Sequence, residues 1–162
     1  MEKHGSAILA NSWNGDFLVD PGDFHVGRKL LRDGEYNREE IKRLINSIGN
    51  KAKSIVVVGT HIGSLLIPLA NSSRKIIGFE ADRDNFRLLE ANIRLNNTRN
   101  ASVFHLAVGE RQGTAFVRRN LINTGNSSID LHKACPTQDH REIADRVKLT
   151  SLDNEILEDK VD

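Results

Sequence analysis

The run Ser54-Ile55-Val56-Val57-Val58-Gly59-Thr60-His61-Ile62-Gly63 joins a block of apolar, mostly β-branched residues to a loop bracketed by two glycines. Apolar residues in succession, rather than alternating with polar ones, suit a strand buried on both faces. Gly59 to Gly63 reads as the loop after it and Ile62–Ala70 as the next helix, with Pro68 inside that helix expected to shorten or kink it. Lys75–Glu80 is a second buried strand. Asp82 or Asp84 is placed to cap a helix that runs through Phe86, Leu88, Leu89, Ile93 and Leu95 and closes at Asn96-Asn97. Ser102–Val108 is a third strand. Strand, helix, strand, helix, strand defines an α/β chain with right-handed crossovers and a parallel sheet flanked by helices.

Upstream, from Met1 to about Asn50, apolar residues are scattered at first and then become helical. Leu30, Leu31, Ile41, Leu44, Ile45 and Ile48 fit a 3.6-residue spacing, with Gly49 as a helix stop. Asp20-Pro21-Gly22-Asp23 is a turn, because proline presets φ and glycine accepts positive φ. Downstream, about Arg118 to Thr150 is polar and rich in Asn, Ser, Thr and Gly. It holds one short strand candidate, Arg146–Thr150, before a helix start at Ser151-Leu152-Asp153. The chain thus divides into a lead-in with helices over 1–50 and a sheet-forming unit over 51–162.

The bulk properties fit one globular domain. The 162 residues are 38% hydrophobic and 28% charged, with 23 basic against 22 acidic side chains and a net charge of +1. That balance argues against a broad nucleic-acid or membrane surface, either of which needs clustered Lys and Arg. The single cysteine, Cys135, excludes an internal disulfide, and a reducing cytoplasm is the compartment to expect. The first ten residues lack the apolar core of a signal peptide, and no segment reaches the roughly 18 apolar residues of a membrane span.

In an open parallel sheet, ligands bind beyond the carboxyl ends of the strands. Two features fall there: the turn Val58-Gly59-Thr60-His61-Ile62-Gly63, and Glu80, at the end of the next strand and 21 residues after Gly59. Glycines in such a turn let a ligand approach the backbone, and a carboxylate in that place can accept hydrogen bonds from both hydroxyls of a ribose. Together they point to a nucleoside cofactor. A dinucleotide site calls for G-x-G-x-x-G, which sets a pyrophosphate on the helix N-terminus. Here the spacing is Gly59-x-x-x-Gly63, with His61 where that fingerprint has its second glycine, and an imidazole there crowds a pyrophosphate. S-adenosylmethionine carries no phosphate, so it is the better fit, with a nicotinamide-dependent oxidoreductase as the rival.

The ordered series Val56-Val57-Val58-Gly59-Thr60-His61-Ile62-Gly63, Gly78-Phe79-Glu80-Ala81-Asp82, then Phe86, Leu89, Asn92, Leu95 and Asn96, resembles the FkbM-type methyltransferases. So do Ala107-Val108-Gly109, Asn123-Thr124-Gly125-Asn126-Ser127, and Val147 with Thr150-Ser151-Leu152-Asp153. The match runs from about Val56 to Asp153, and Asp20-Pro21-Gly22-Asp23 also looks like that family's lead-in. The resemblance implies a Rossmann-like methyltransferase fold and methyl transfer, usually to an oxygen of a sugar or small-molecule natural product. On it, Gly59, Thr60, His61 and Gly63 would line the methionine end of the cofactor, Glu80 would hold the ribose, and Ala81 and Ala107 would lie near the adenine.

Two departures qualify the resemblance. Many relatives have an acid two residues before the first glycine, where this chain has Val57; its loss should weaken the hold on the cofactor's ammonium group unless carbonyls or His61 substitute. Such methyltransferases also continue into a fourth strand that pairs with the first, so the domain is expected to be truncated before that strand. Ser54–Val58 would then be an exposed edge, covered by a second copy, a partner chain or later residues. Val57 and the missing strands also keep open a non-catalytic module derived from a methyltransferase. Smaller signals favour bland readings: His132, Cys135, Asp139 and His140 as an ordinary polar loop rather than a zinc site, Arg118 and Arg119 as a solvated strand end, Trp13 and Tyr36 as packing of the lead-in. No catalytic base can be named, His61 being better suited to the cofactor site.

Overall fold

Ile8–Ser12 (β1) and Gly15–Val19 (β2) pair antiparallel in register Ala10↔Phe17, and the turn between them is Trp13-Asn14. The computed structural model that shows this hairpin describes residues 7–49, 52–120, 125, 127–130 and 142–156. Scattered apolar residues in the lead-in did not announce a hairpin, yet they alternate across it: Ala10, Phe17 and Val19 are buried, while Leu9 is exposed. Gly15 sits at φ +126°, and a Cβ there would lie 2.4 Å from the side-chain oxygen of Asn96, so only glycine fits.

Three asparagines fasten this hairpin. Asn14, in its turn, donates to the carbonyls of Tyr36 and Ser64, each at 2.9 Å, and accepts from the Tyr36 amide at 2.8 Å. Asn92 and Asn96 lie one turn apart on a helix and present their amides to β2 as a neighbouring strand would. Asn92 accepts from Leu18 N at 2.7 Å and donates to Leu18 O at 3.2 Å; Asn96 accepts from Asp16 N at 3.0 Å and donates to Asp16 O at 2.7 Å. Asn92, 0% exposed, also donates to the Ile62 carbonyl at 3.0 Å.

Val26–Asp33 (α1) and Arg38–Ile48 (α2) take up the helical spacing of the lead-in as two helices, ended by Gly34 at φ 69° and Gly49 at φ 60°. Leu30 and Ile41 are buried, whereas Leu31 and Leu44 face out. The Asp20–Asp23 turn forms as expected, its Asp23 amide donating to Asp20 O at 3.0 Å.

Ala52–Val58 (β3), Ser73–Glu80 (β4) and Ala101–His105 (β5) form a parallel sheet in the order β3-β4-β5. This is the α/β, Rossmann-like arrangement. Leu66–Ala70 (α3) links β3 to β4, and Arg83–Leu95 (α4) links β4 to β5. The helix expected over Ile62–Ala70 is thus only its last five residues. Pro68 falls in its first turn, where a missing N–H costs little, and the helix is shorter than its spacing implied, as expected of a proline there. Asp82, not Asp84, caps α4.

The third expected strand, Ser102–Val108, breaks at Leu106. Its amide still donates to Glu80 O at 3.0 Å, but Ala107–Val108 (β6) then joins a second sheet. That sheet contains Gly113–Asn120 (β7), Ser128–Asp130 (β8) and Glu142–Thr150 (β9) in the order β6-β9-β7-β8; β6 runs parallel to β9 and the other pairs are antiparallel. Among the described residues of the polar stretch after Arg118, most lie in strand, and the strand expected over Arg146–Thr150 begins at Glu142. Leu152–Ile156 (α5) follows, started by Ser151 as expected.

The lead-in shares one apolar cluster with the parallel sheet, Phe17, Val19 and Leu30 packing with Leu66 and Ile76. A second, smaller cluster of Ala107, Ala115, Val117, Val147 and Leu149 holds the second sheet, and Ala81 packs against it. Among the described residues β3 pairs with β4 alone, leaving its other edge open with Val58 exposed. Among them too, no helix is long and apolar enough to cross a membrane. Asn92→Leu, which strips Leu18 and Ile62 of side-chain partners, is expected to cost about 3 kcal/mol. The urea midpoint should fall with an unchanged slope.

Candidate nucleoside-binding site

The loop after β3 is pulled to the end of β4 by its backbone. The amides of Gly59 and Thr60 both donate to Phe79 O, at 2.8 and 3.1 Å, and that of Gly63 donates to Thr60 O at 3.0 Å. Gly59 is at φ +75° with open space where a side chain would be, so a ligand can reach its backbone. Gly63 serves packing instead. At φ +95°, a Cβ would come within 2.9 Å of the Leu89 side chain. His61 adopts a left-handed φ of 53°, a conformation that costs a non-glycine residue about 1–2 kcal/mol. It aims the His61 amide at Glu80 Oε2, 2.6 Å away.

Glu80 is 7% exposed. Its Oε1 accepts from Asp82 N at 2.8 Å, the Ala81 amide adds to the pull on the carboxylate, and Glu80 lines the cleft. Burial raises its pKa above the ordinary value, against the pull of the Asp82 and His61 amides. Asp82 is itself buried, and its Oδ1 caps α4 by accepting from Asp84 N at 2.9 Å and Asn85 N at 3.0 Å. The glycine loop and Glu80 therefore share one rim.

Beside them lies a cleft of about 190 Å³. Gly59, His61, Glu80, Ala81 and Ala107 line it, joined by Asp82 and Asn85 on the polar side and by Leu106, Val117 and Ile129 on the apolar side. Thr60 and Gly63 do not; Thr60 is buried with its hydroxyl 3.4 Å from Phe79 O. Ala81 is held from behind by His105, whose Nε2 lies 3.0 Å from Ala81 O and whose ring stacks on Phe86. The volume is below the roughly 300–1,000 Å³ of enclosed sites, so a ligand lies along a groove.

The His61 ring is largely buried. Desolvation lowers its pKa, the carboxylates of Asp23 and Asp82 raise it, and Arg119 and His25 lower it again, leaving the imidazole neutral at pH 7. Asp23 is 3% exposed and braced by the amides of His25 and Gly27, at 3.0 and 2.9 Å. A carboxylate of the lead-in thus acts electrostatically on His61.

Arg119 is not a solvated strand end. Its side chain is 13% exposed and forms ion pairs with Asp20, Asp82 and Asp84. Arg118 pairs with Asp130 at 3.2 Å. Trp13 and Tyr36 belong to the lead-in, Trp13 under the Arg38 guanidinium and Tyr36 against the core, and neither lines the cleft. His132, Cys135, Asp139 and His140 lie outside the described residues, as do Asn123, Thr124 and Asn126. Sequence reasoning missed the apolar wall of Leu106, Val117 and Ile129. Thr114, Phe116 and Val117, β-branched and aromatic in close succession, were the signal for β7.

No family model matches the chain, and no curated protein does. Among solved structures it is similar to Methanocaldococcus jannaschii TYW2 in complex with AdoMet, at 22% identity over 64% of this chain and 45% of that one, with a TM-score of 0.49. It is similar to Trm5b from Pyrococcus abyssi at 13% identity over 66% and 32%, TM-score 0.48, and to Pyrococcus horikoshii TYW2 in complex with MeSAdo at 18% over 64% and 37%, TM-score 0.45. The chain spans less than half the length of each of these structures.

Because the folded pKa of His61 lies below its ordinary 6.5, protonation favours the unfolded chain. Its contribution is complete above that value and is lost as pH falls toward the folded pKa. His61→Asn, which tolerates a left-handed φ, should lose less stability between pH 7 and about pH 5 than the wild type, as read by thermal melts. Glu80→Gln should cost about 2 kcal/mol in urea denaturation, since an amide nitrogen must then face one of the two backbone N–H groups.

Proposed function

We propose that the chain binds S-adenosylmethionine in the cleft and is the cofactor-binding part of an S-adenosylmethionine-dependent methyltransferase. One observation carries this reading: a buried carboxylate, Glu80, fixed by the amides of His61 and Asp82, lines a groove together with the apolar Leu106, Val117 and Ile129. That arrangement suits a ribose diol with adenine against Ala81, Leu106 and Ala107. His61, at the loop end of the cleft, stands where the amino-acid end would lie.

Two further observations set the methyl donor above a dinucleotide. A pyrophosphate needs free amides at the loop. Here those of Gly59, Thr60, His61 and Gly63 are committed to Phe79, Glu80 and Thr60. Glu80 and Asp82 line the cleft, and beside them Asp20 and Asp84 join Asp82 around Arg119, with Arg87 a second cation on Asp84; four carboxylates against two guanidiniums favour a cation and disfavour phosphates.

When bound, the sulfonium supplies an electrophilic methyl group to a nucleophile in line with the breaking carbon–sulfur bond. The chain's own share is binding and alignment. The acidic rim also supports an uncharged acceptor, a hydroxyl of a sugar or small molecule as the FkbM resemblance implies, rather than a polyanion. The open edge of β3 supports completion of the sheet by a further strand, from a second copy, a partner or other residues of the same protein; a stable monomer of this chain in light scattering would overturn that. Val57 favours a second reading, cofactor binding without turnover.

Calorimetry with S-adenosylhomocysteine tests the proposal. Saturable binding that Glu80→Ala weakens at least about tenfold is the expected result, from the loss of hydrogen bonds to a charged group. No heat at millimolar ligand sinks it. Binding without methyl transfer to any hydroxyl acceptor leaves the second reading in place.

A further inference from the structure

We propose that Arg119 is a positioning residue for the ribose-holding carboxylate, acting through Asp82, on the reading that a nucleoside binds at Glu80. Side chains two apart on a strand share a face. Val117 lines the cleft, and Arg119 is the next residue of that face of β7. From there its guanidinium meets acids from two other parts of the chain: Asp20 of the lead-in turn at 3.7 Å, and Asp82 and Asp84 at the start of α4.

Asp82 is the link to Glu80. Its backbone amide holds Glu80 Oε1 at 2.8 Å, and its Oδ1 caps α4 through Asp84 N and Asn85 N. Its Oδ2 lies 3.3 Å from Arg119 Nε, within ion-pair range but not aligned as a hydrogen bond. With both oxygens engaged in opposite directions, Asp82 cannot rotate without losing the cap or the ion pair. Its amide is therefore held toward Glu80. Asp84 has a second cation, Arg87 at 3.5 Å, whereas among the described residues the ion pair of Asp82 is with Arg119 alone.

Without Arg119, the 4% exposed Asp82 side chain would face Asp20, Asp84 and Glu80 with no counter-charge in contact. A buried carboxylate in that position moves toward solvent or takes up a proton. Either response loosens the turn that aims Glu80. Lysine cannot replace the arginine fully, because a single ammonium does not reproduce a planar fork reaching three carboxylates.

The test is a ligand cycle. Adenosine and 2′,3′-dideoxyadenosine differ only in the hydroxyls that Glu80 would receive, so their affinity ratio reports on Glu80 and not on general stability. Binding is measured by calorimetry for wild type, Glu80→Ala, Arg119→Lys, Arg119→Gln and Asp82→Asn. Asparagine keeps the helix cap but not the charge, so that variant tests the same link if Arg119→Gln fails to fold. Wild type should prefer adenosine by roughly tenfold or more. The Arg119 and Asp82 variants should lower that preference several-fold with dideoxyadenosine affinity little changed, even where the melting temperature falls from loss of the ion pair. Folded variants that keep the wild-type ratio, or lose both nucleosides equally, overturn the role of Arg119 and leave the nucleoside site standing. A wild type that binds neither, or a ratio that Glu80→Ala does not alter, removes both.

Discussion

A carboxylate taken out of water loses several kcal/mol of hydration unless donors replace it, and the arrangement of this site follows from meeting that need at Glu80. One donor comes from the loop after β3, at a residue held left-handed; the other comes from the first residue of the turn into α4. The loop, the end of β4 and the start of α4 are thereby drawn onto one carboxylate. The strain at His61 and the burial of Asp82 are both explained by it. Neither would persist without a strong acceptor between them.

The parallel sheet was legible because Ser54–Val58 and Lys75–Glu80 are apolar in succession; β4 is buried as that pattern implies, whereas β3, at the edge, buries only Val57 and exposes Val58. The helix after β4 was legible from Phe86, Leu89 and Ile93 with an acid at its start. The loop and Glu80 were legible as neighbours, since a strand end and the next strand end lie side by side in a parallel sheet. The lead-in hairpin was not, because β1 and β2 are five residues each and β2 is completed by the side chains of Asn92 and Asn96, more than seventy residues away. Pattern within a window cannot report a partner outside it.

The second sheet escaped for a related reason. Its strands are polar by composition because only one face is buried, by Ala115, Val117, Val147 and Leu149, and small residues carry little hydropathy. Arg119 reads as a solvated end when only its neighbours in sequence are considered. Three acids from two separate segments make it a buried cation. The influence of Asp23 on His61 was equally hidden: as part of a turn it satisfies its own backbone, and only the fold brings it within electrostatic reach of His61.

At Leu106 the chain leaves one sheet for another within a single residue, its amide on Glu80 and its successor on Leu149. One bank of the groove, with Phe79 and Glu80, is therefore built by the first sheet, and the other, with Val117, Ser128 and Ile129, by the second. Their separation is set by the angle at which two rigid ladders meet, not by the pleat of either one. Arg119 to Asp82 and Asp84, and Arg83 to Asp145 at 3.5 Å, tie the two sheets together like the stays of a folding frame. A molecule wedged between the banks touches both, so its fit is a measure of how the two halves of the fold are joined.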